Sequence, residues 1–160
     1  MATVYTTQGA IIAAPTASNR LAADQLGNEI QYAYGQYVVT AALAANDVIR
    51  ITRLPQGARI IPHLSQIDSD GVGATTATLK IGDLDVTSAG VDASDDDRYG
   101  AALDVNAAGK DLFDSSTRGV ASNNSYALQS ESWITATVAT LTGTATADRV
   151  LTFRIAYTSQ

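Results

Sequence analysis

The feature that most constrains the fold is a strict alternation of apolar and polar residues near the C-terminus. Two stretches carry it, one with Ile134, Ala136 and Val138 and the other with Leu151, Phe153, Ile155 and Tyr157. Successive side chains of a β-strand point to opposite faces, so a period of two predicts strands with one buried face. The β-branched and aromatic residues of both stretches also favour strands. We predict that these two strands form a long hairpin that closes the fold.

A second strand-rich region covers residues 47–83, where three predicted strands are joined by two turns. The first and third strands alternate in the same way, with Ile49 and Ile51 in one and Ala77, Leu79 and Ile81 in the other. Pro55 and Gly57 predict the first turn, because proline fixes one dihedral and glycine accepts a positive one. Residues 68–73 predict the second turn. The middle strand, residues 58–67, has apolar side chains on both parities, so it is either covered on both faces or bent.

Three tyrosines lie close together in a predicted strand within residues 29–42. Tyr32 and Tyr34 share one parity and Tyr37 the other, with Gly35 between them. A glycine inside a strand often marks a bulge, and a bulge here would return all three tyrosines to one face. The three rings then have three possible roles: core or edge packing, the centre of a protein interface, or a platform for stacking sugars.

Together these patterns predict an all-β fold, an antiparallel β-sandwich that is jelly-roll-like and has about eight strands. We assign the sandwich to residues 29–160 and an extended N-terminal arm to residues 1–28. The arm has little apolar surface, so it is either a frayed terminus or a segment that orders on a neighbouring subunit. A chain of 160 residues without cysteine must rely on its core, since disulfides are excluded.

Charge argues against nucleic acid and membranes as partners. The net charge is −6 and the arginines are scattered, so attraction to phosphates or anionic lipids is disfavoured. No apolar run is long enough for a transmembrane helix, and the first residues lack the pattern of a secretory signal. We therefore expect synthesis in a cytoplasm.

The sequence offers no arrangement typical of an enzyme. His63 is the only histidine, and we expect it to lie in a strand as a packed or partly exposed side chain rather than to act as a base. Acidic turns at residues 68–71 and 92–97 are rich in oxygen ligands, but they lack the alternating spacing of a helical calcium loop. We predict no catalytic residues, no metal site and no cofactor.

A resemblance is carried by the order of several short motifs between residues 39 and 103. They are Arg53-Leu54-Pro55, then Gly57-Ala58-Arg59-Ile60-Ile61, a polar turn, Ala77-Thr78-Leu79-Lys80-Ile81-Gly82-Asp83, and Asp95-Asp96-Asp97-Arg98-Tyr99 before a strand of small residues. This succession resembles the head decoration, or cement, proteins of tailed bacteriophages. The resemblance implies a structural virion protein on the capsid exterior, where such proteins commonly form trimers that reinforce contacts between major capsid subunits.

Under this hypothesis the partners are the major capsid protein and other copies of the chain. The candidate contact residues are Thr6, Gln8, Ile11 and Ile12 in the arm and Tyr32, Tyr34 and Tyr37 in the strand. The alternative is a carbohydrate- or receptor-binding module of a phage tail or fibre, which would stack sugars on Tyr32, Tyr34, Tyr126 or Trp133.

Overall fold

The computed structural model describes residues 29–86, 95–113 and 126–159. These ranges contain nine β-strands and one short 3-10 helix. The strands are β1 (Gln31–Val38), β2 (Val48–Leu54), β3 (Arg59–Ile60), β4 (Gln66–Asp70), β5 (Thr76–Asp85), β6 (Asp95–Asp104), β7 (Ala108–Leu112), β8 (Ser132–Thr142) and β9 (Val150–Thr158), and the helix is Pro62–Leu64. Within the same ranges, no helix has the length and hydrophobicity needed to span a lipid bilayer.

The strands form two antiparallel sheets that pack face to face. One sheet has the order β1-β9-β4-β7, with β3 also paired to β9, and the other has the order β2-β8-β5-β6. Apolar side chains from both sheets meet in one buried cluster, which includes Ile134, Val138, Leu151, Phe153 and Ile155. The predicted all-β sandwich is therefore confirmed, and its jelly-roll-like connectivity stays a prediction.

The predicted C-terminal hairpin is wrong, although both of its strands exist. β8 pairs with β2 and β5, while β9 pairs with β1, β3 and β4 in the opposite sheet. Each strand is thus the centre of its own sheet, and their apolar faces meet across the core. Alternation reveals that a face is buried, but it does not say which strand supplies the hydrogen bonds at each edge.

The middle strand of the 47–83 region is bent, as one of the two sequence interpretations allowed. Its residues divide into β3, the 3-10 helix and β4, and Pro62 opens the helix. His63 therefore lies in a helix and its side chain is exposed, so its predicted placement in a strand was wrong. The turn at Pro55 is confirmed, and Gly57 has a φ of 83°. Several of the residues predicted to lie in acidic turns are instead in strands, because Asp70 ends β4 and Asp95 begins β6, while residues 92–94 lie outside the described residues.

The expected bulge at Gly35 is absent from β1. The pairing of β1 with β9 runs without a shift from Gln31 opposite Tyr157 to Val38 opposite Val150. A Cβ atom at Gly35 would lie 2.6 Å from Cγ2 of Ile51 in β2. The glycine therefore permits a close approach between the edges of the two sheets, which is the other common reason for glycine in a strand.

Replacing Gly82 with alanine should lower the free energy of unfolding by about 1–3 kcal/mol, as expected for forced overpacking. The added Cβ would overlap the carbonyl oxygen of Asp95 and lie 2.6 Å from the Cα of Asp96. These are backbone atoms of β6, so they cannot rotate away. Denaturant titration of the variant and the parent chain measures the difference.

Gly109→Ala is the matched control for this substitution. It makes the same chemical change inside strand β7, where the new Cβ would meet no atom within 4 Å. Equal unfolding midpoints for the two variants would contradict the close approach of β5 and β6.

Candidate functional site

The most exposed apolar surface of the described sandwich lies on strand β1. Tyr32, Tyr34 and Val38 are 46%, 66% and 54% exposed, and Gln36 lies between the last two on the same face. Regular pairing with β9 keeps these side chains on the outer face of the sheet. We name the four residues the β1 outer row. Large apolar side chains this exposed and adjacent are typical of surfaces that contact another molecule.

Side chains of the neighbouring strand β9 contact this row and place one cation beside it. Arg154 of β9 lies opposite Tyr34, and its guanidinium is 5.5 Å from the ring centroid of Tyr32. The same guanidinium donates a hydrogen bond to Oε1 of Gln66, at 2.9 Å. Gln36 donates a hydrogen bond to the hydroxyl of Thr152, at 3.4 Å. The row is thus an aromatic and apolar strip beside one cation whose position is fixed by a cation–π contact and a hydrogen bond.

The structure brings together only part of the predicted contact set. Tyr32 and Tyr34 lie side by side on the outer face, but Tyr37 faces inward and packs against the core. Their separation follows from the missing bulge, because an unbroken strand sends the two parities to opposite faces. Val38 was missed in the sequence, although it shares its parity with Tyr32 and Tyr34.

The four predicted contact residues in the arm, which are Thr6, Gln8, Ile11 and Ile12, lie outside the described residues. The predicted boundary of the arm at residue 28 likewise stays a prediction.

A second region of interest is a cavity of about 480 Å³ on the outer side of the other sheet. Its lining combines carboxylates, one guanidinium, two threonines and two aliphatic side chains: Asp83, Asp95, Asp96, Arg98, Thr135, Thr137, Val48 and Leu84. Sequence reasoning did not single out Asp83. The available signal was parity, because Asp83 shares its parity with Leu79 and Ile81, which the alternation predicted to be buried.

Asp83 is the centre of a buried polar cluster, which we call the Asp83 cluster and which also contains Arg98, Tyr99 and Tyr126. Asp83 is 4% exposed, and both of its carboxylate oxygens lie 3.2 Å from Nε of Arg98. The Tyr99 hydroxyl donates to the same carboxylate at 3.3 Å. The guanidinium of Arg98 lies 3.9 Å from the ring centroid of Tyr126. These contacts link β5 to β6 through side chains as well as through backbone pairing.

Burial and charge shift the pKa values in this cluster. Burial raises the pKa of Tyr99 well above its ordinary value, and the neighbouring negative charge of Asp83 raises it further. Burial by itself lowers the pKa of Arg98, but the charge and hydrogen bonding of Asp83 outweigh it, so the net pKa is raised. Tyr99 therefore stays protonated and Arg98 stays charged at neutral pH. A neutral phenol and a paired guanidinium make the cluster a structural link between strands rather than a source of proton transfer.

Three carboxylates at the start of β6 lie beside the cavity. One oxygen from each of Asp95, Asp96 and Asp97 lies within 4.8 Å of the others. The hydrogen bond with Asp95 raises the pKa of Asp97, and burial adds to the shift. The ammonium of Lys80 lies 3.1 Å from Asp96 and 4.0 Å from Asp97. This protein cation offsets part of the repulsion in the place where a hard cation would bind.

The aromatic residues considered for sugar stacking do not form one platform. Tyr32 and Tyr34 lie on the outer face of one sheet, whereas Trp133 lies in β8 of the other. Trp133 is flanked by the guanidinium groups of Arg50 and Arg53, at 5.8 and 5.6 Å from its centroid. Tyr126 packs against the core under Arg98. Of these four candidates, all within the described residues, Tyr32 and Tyr34 are the pair that presents adjacent exposed rings.

No protein-family model matches the sequence, and no curated protein is significantly similar to it. Among solved structures, the fold is similar to a chain in the capsid of Ralstonia phage GP4. The TM-score is 0.64 at 20% identity, and the match covers 82% of this chain and 85% of that chain. A chain in the cyanophage Pam1 capsid asymmetric unit is also similar, with a TM-score of 0.60, 22% identity and coverage of 92% and 99%. The expected resemblance to capsid-related proteins of phages is therefore confirmed at the level of the fold.

Replacing Asp83 with asparagine should lower the free energy of unfolding by about 3 kcal/mol, because it leaves a buried guanidinium without its carboxylate. Glu131→Gln is the matched control, since the Glu131–Arg53 pair is formed at 2.8 Å but Glu131 is 50% exposed. An exposed pair of this kind contributes less than about 1 kcal/mol. Chemical denaturation of both variants measures the two effects. Equal losses would show that the Asp83 cluster adds no more stability than a surface pair.

Proposed function

We propose that this chain is a structural virion protein of a bacteriophage, a decoration protein that binds the outer surface of the head. The observation that supports this most is the shared sandwich fold, which extends over most of this chain and of the chains from two phage capsids. A fold by itself does not specify a function. Here the two similar chains belong to the same kind of assembly, and the sequence motifs between residues 39 and 103 resemble the same class of protein.

The chemistry of the described residues supports binding rather than catalysis. The most deeply buried charged group, Asp83, contacts Arg98 and Tyr99, so its carboxylate serves the fold. The two most exposed large apolar side chains, Tyr34 and Val38, both lie in the β1 outer row, which suits a contact with protein. A non-enzymatic role is therefore part of the proposal.

The major capsid protein is the proposed partner, and the β1 outer row together with Thr6, Gln8, Ile11 and Ile12 forms the proposed contact surface. Copies of the chain associate on the head, as trimers by the resemblance to decoration proteins. A protein that binds only the assembled shell stabilises that shell by mass action, by about 2.7 kcal/mol per site when its free concentration is a hundred times Kd. The bound protein thereby holds neighbouring capsid subunits together.

A carbohydrate-binding role is the second candidate, and one observation favours it. The exposed rings of Tyr32 and Tyr34 are adjacent, as in surfaces that stack sugars. The remaining candidate rings lie elsewhere, so this role would depend on two tyrosines alone. A glycan array performed on the purified chain separates the two functions, and we expect binding to heads without binding to glycans.

The double substitution Tyr34→Ser/Val38→Ser should weaken binding to heads by at least about a hundredfold, because each apolar side chain buried in the contact contributes about 1.5–3 kcal/mol. The assay is co-sedimentation with heads prepared from the virus that encodes this chain but lacking this protein. Both side chains are more than half exposed, so the fold should keep its stability. Val48→Ser is the matched control, since Val48 is 53% exposed on the other sheet. If the double variant binds heads as tightly as the parent chain, the β1 outer row is not part of the contact surface.

Deletion of residues 2–23 should also reduce occupancy on heads, because it removes the four proposed contact residues of the arm. A cryo-electron microscopy reconstruction of particles carrying the full or the shortened chain measures the occupancy and locates the protein. Full occupancy by the shortened chain would exclude the arm from docking. Density for the full chain inside the shell would contradict the exterior location.

A further inference from the structure

The strands that end the two sheets differ in how they are protected against pairing with another strand. Natural edge strands carry charged residues, bulges or prolines, or are very short, because unpaired backbone groups otherwise recruit further strands. β7 has five residues and includes Lys110 and Asp111. β2 includes Arg50 and Arg53 and has a register shift between Arg50 and Thr52. β6 begins with charged residues and has two register shifts against β5. Of the four edge strands formed by the described residues, β7, β2 and β6 are thus protected against pairing with a further strand.

β1 is the exception among these edges. Its sequence, Gln-Tyr-Ala-Tyr-Gly-Gln-Tyr-Val, contains no charged residue and no proline over eight residues. Its register against β9 is unbroken along the whole strand. Among the described residues, no strand pairs with its other side. At about 3.3 Å per residue, this edge is roughly 26 Å long. Every second residue directs its N–H and C=O groups away from β9, which makes the edge a template for one more strand.

We propose that residues 2–12 of this chain add to β1 as an additional strand of its sheet. The first charged residue of the chain is Arg20, so residues 2–12 match the uncharged character of β1. Thr3, Val4, Tyr5, Thr6 and Thr7 form a run of strand-favouring residues. The first proline is Pro15, so every residue from 2 to 12 retains its N–H donor.

The length of the chain allows this pairing. Residues 13–30 connect the proposed strand to β1, and an extended linker of that length spans up to roughly 60 Å. This exceeds the length of the edge about twofold, so residues 2–12 can reach any position along β1. Residues 20–28 are a poorer match, since they include Arg20 and Asp24. Residues 2–12 can therefore pair with β1 of the same copy. Pairing with β1 of a second copy would differ in one observable way, because it would dissociate on dilution.

Strand addition goes beyond the proposed role on a phage head and does not depend on it. It predicts a property of the purified chain in the absence of any capsid. Failure of head binding would leave this inference unaffected, and failure of strand addition would leave the fold and the β1 outer row unchanged.

The test is residue-resolved amide hydrogen exchange by NMR on the full chain and on a chain lacking residues 2–12. In the full chain, alternate β1 amides that point away from β9 should exchange at least about tenfold more slowly than in the shortened chain. Amides of the central strand β8 should exchange equally in both chains, which shows that the sandwich is intact. A synthetic peptide of residues 2–12 added to the shortened chain should restore the slow exchange.

Proline variants repeat the test without changing the length of the chain. Thr6→Pro/Ile11→Pro removes one donor of each parity, so at least one hydrogen bond to β1 is lost in either register, and exchange in β1 should accelerate. Ser18→Pro lies outside the proposed strand and should not change it. The proposal is overturned if the outward amides of β1 exchange at the same rate in the full, shortened and proline-substituted chains. It is also overturned if the peptide with the two prolines protects β1 as well as the unaltered peptide does.

Discussion

The packing of β8 against β9 across the core is the interaction on which the rest of the structure depends. Each strand is the centre of one sheet, and their inward side chains, among them Ile134, Ala136, Phe153 and Ile155, are fully buried. Burial of apolar area is the main favourable contribution to folding, and these residues lose nearly all their contact with water. Because a strand alternates its faces, fixing the inward set also fixes the outward set. The exposed β1 outer row is thus a geometric consequence of how β1 pairs with β9.

The second sheet shows how a polar group is accommodated within such a fold. The carboxylate of Asp83 is nearly inaccessible to solvent, and an isolated buried charge would be strongly destabilising. Arg98 and Tyr99 supply the compensating charge and hydrogen bonds, both from the adjacent strand β6. Gly82, the residue before Asp83, provides the space in which β6 approaches β5. The Asp83 cluster therefore depends on Gly82, which lets β6 approach β5, and on the ion pair between Asp83 and Arg98.

The strands at the edges of the described sheets differ in the charge they carry. Charged residues make up 16% of the sequence, and several of them lie in the strands that end the sheets. β1 has none of them and displays tyrosine and valine instead. Large exposed apolar side chains of this kind are typical of surfaces that contact another molecule. β1 is therefore the edge whose surface best fits the proposed contact with another protein.

The alternation of residues by itself determined the class of the fold and much of its core, because the period of a strand is a local property of the chain. It identified Leu79, Ile81, Ile134 and Leu151 as inward-facing residues, and all four are buried. The choice of strand partners was decided only by the tertiary structure, since every amphipathic strand offers the same backbone groups to its neighbours. For that reason the two C-terminal strands were expected to pair and instead face each other across the core. Gly35 and the Asp83 cluster depended on tertiary structure too, because their partners, Ile51 and Arg98, lie 16 and 15 positions away and meet them only when the sheets assemble.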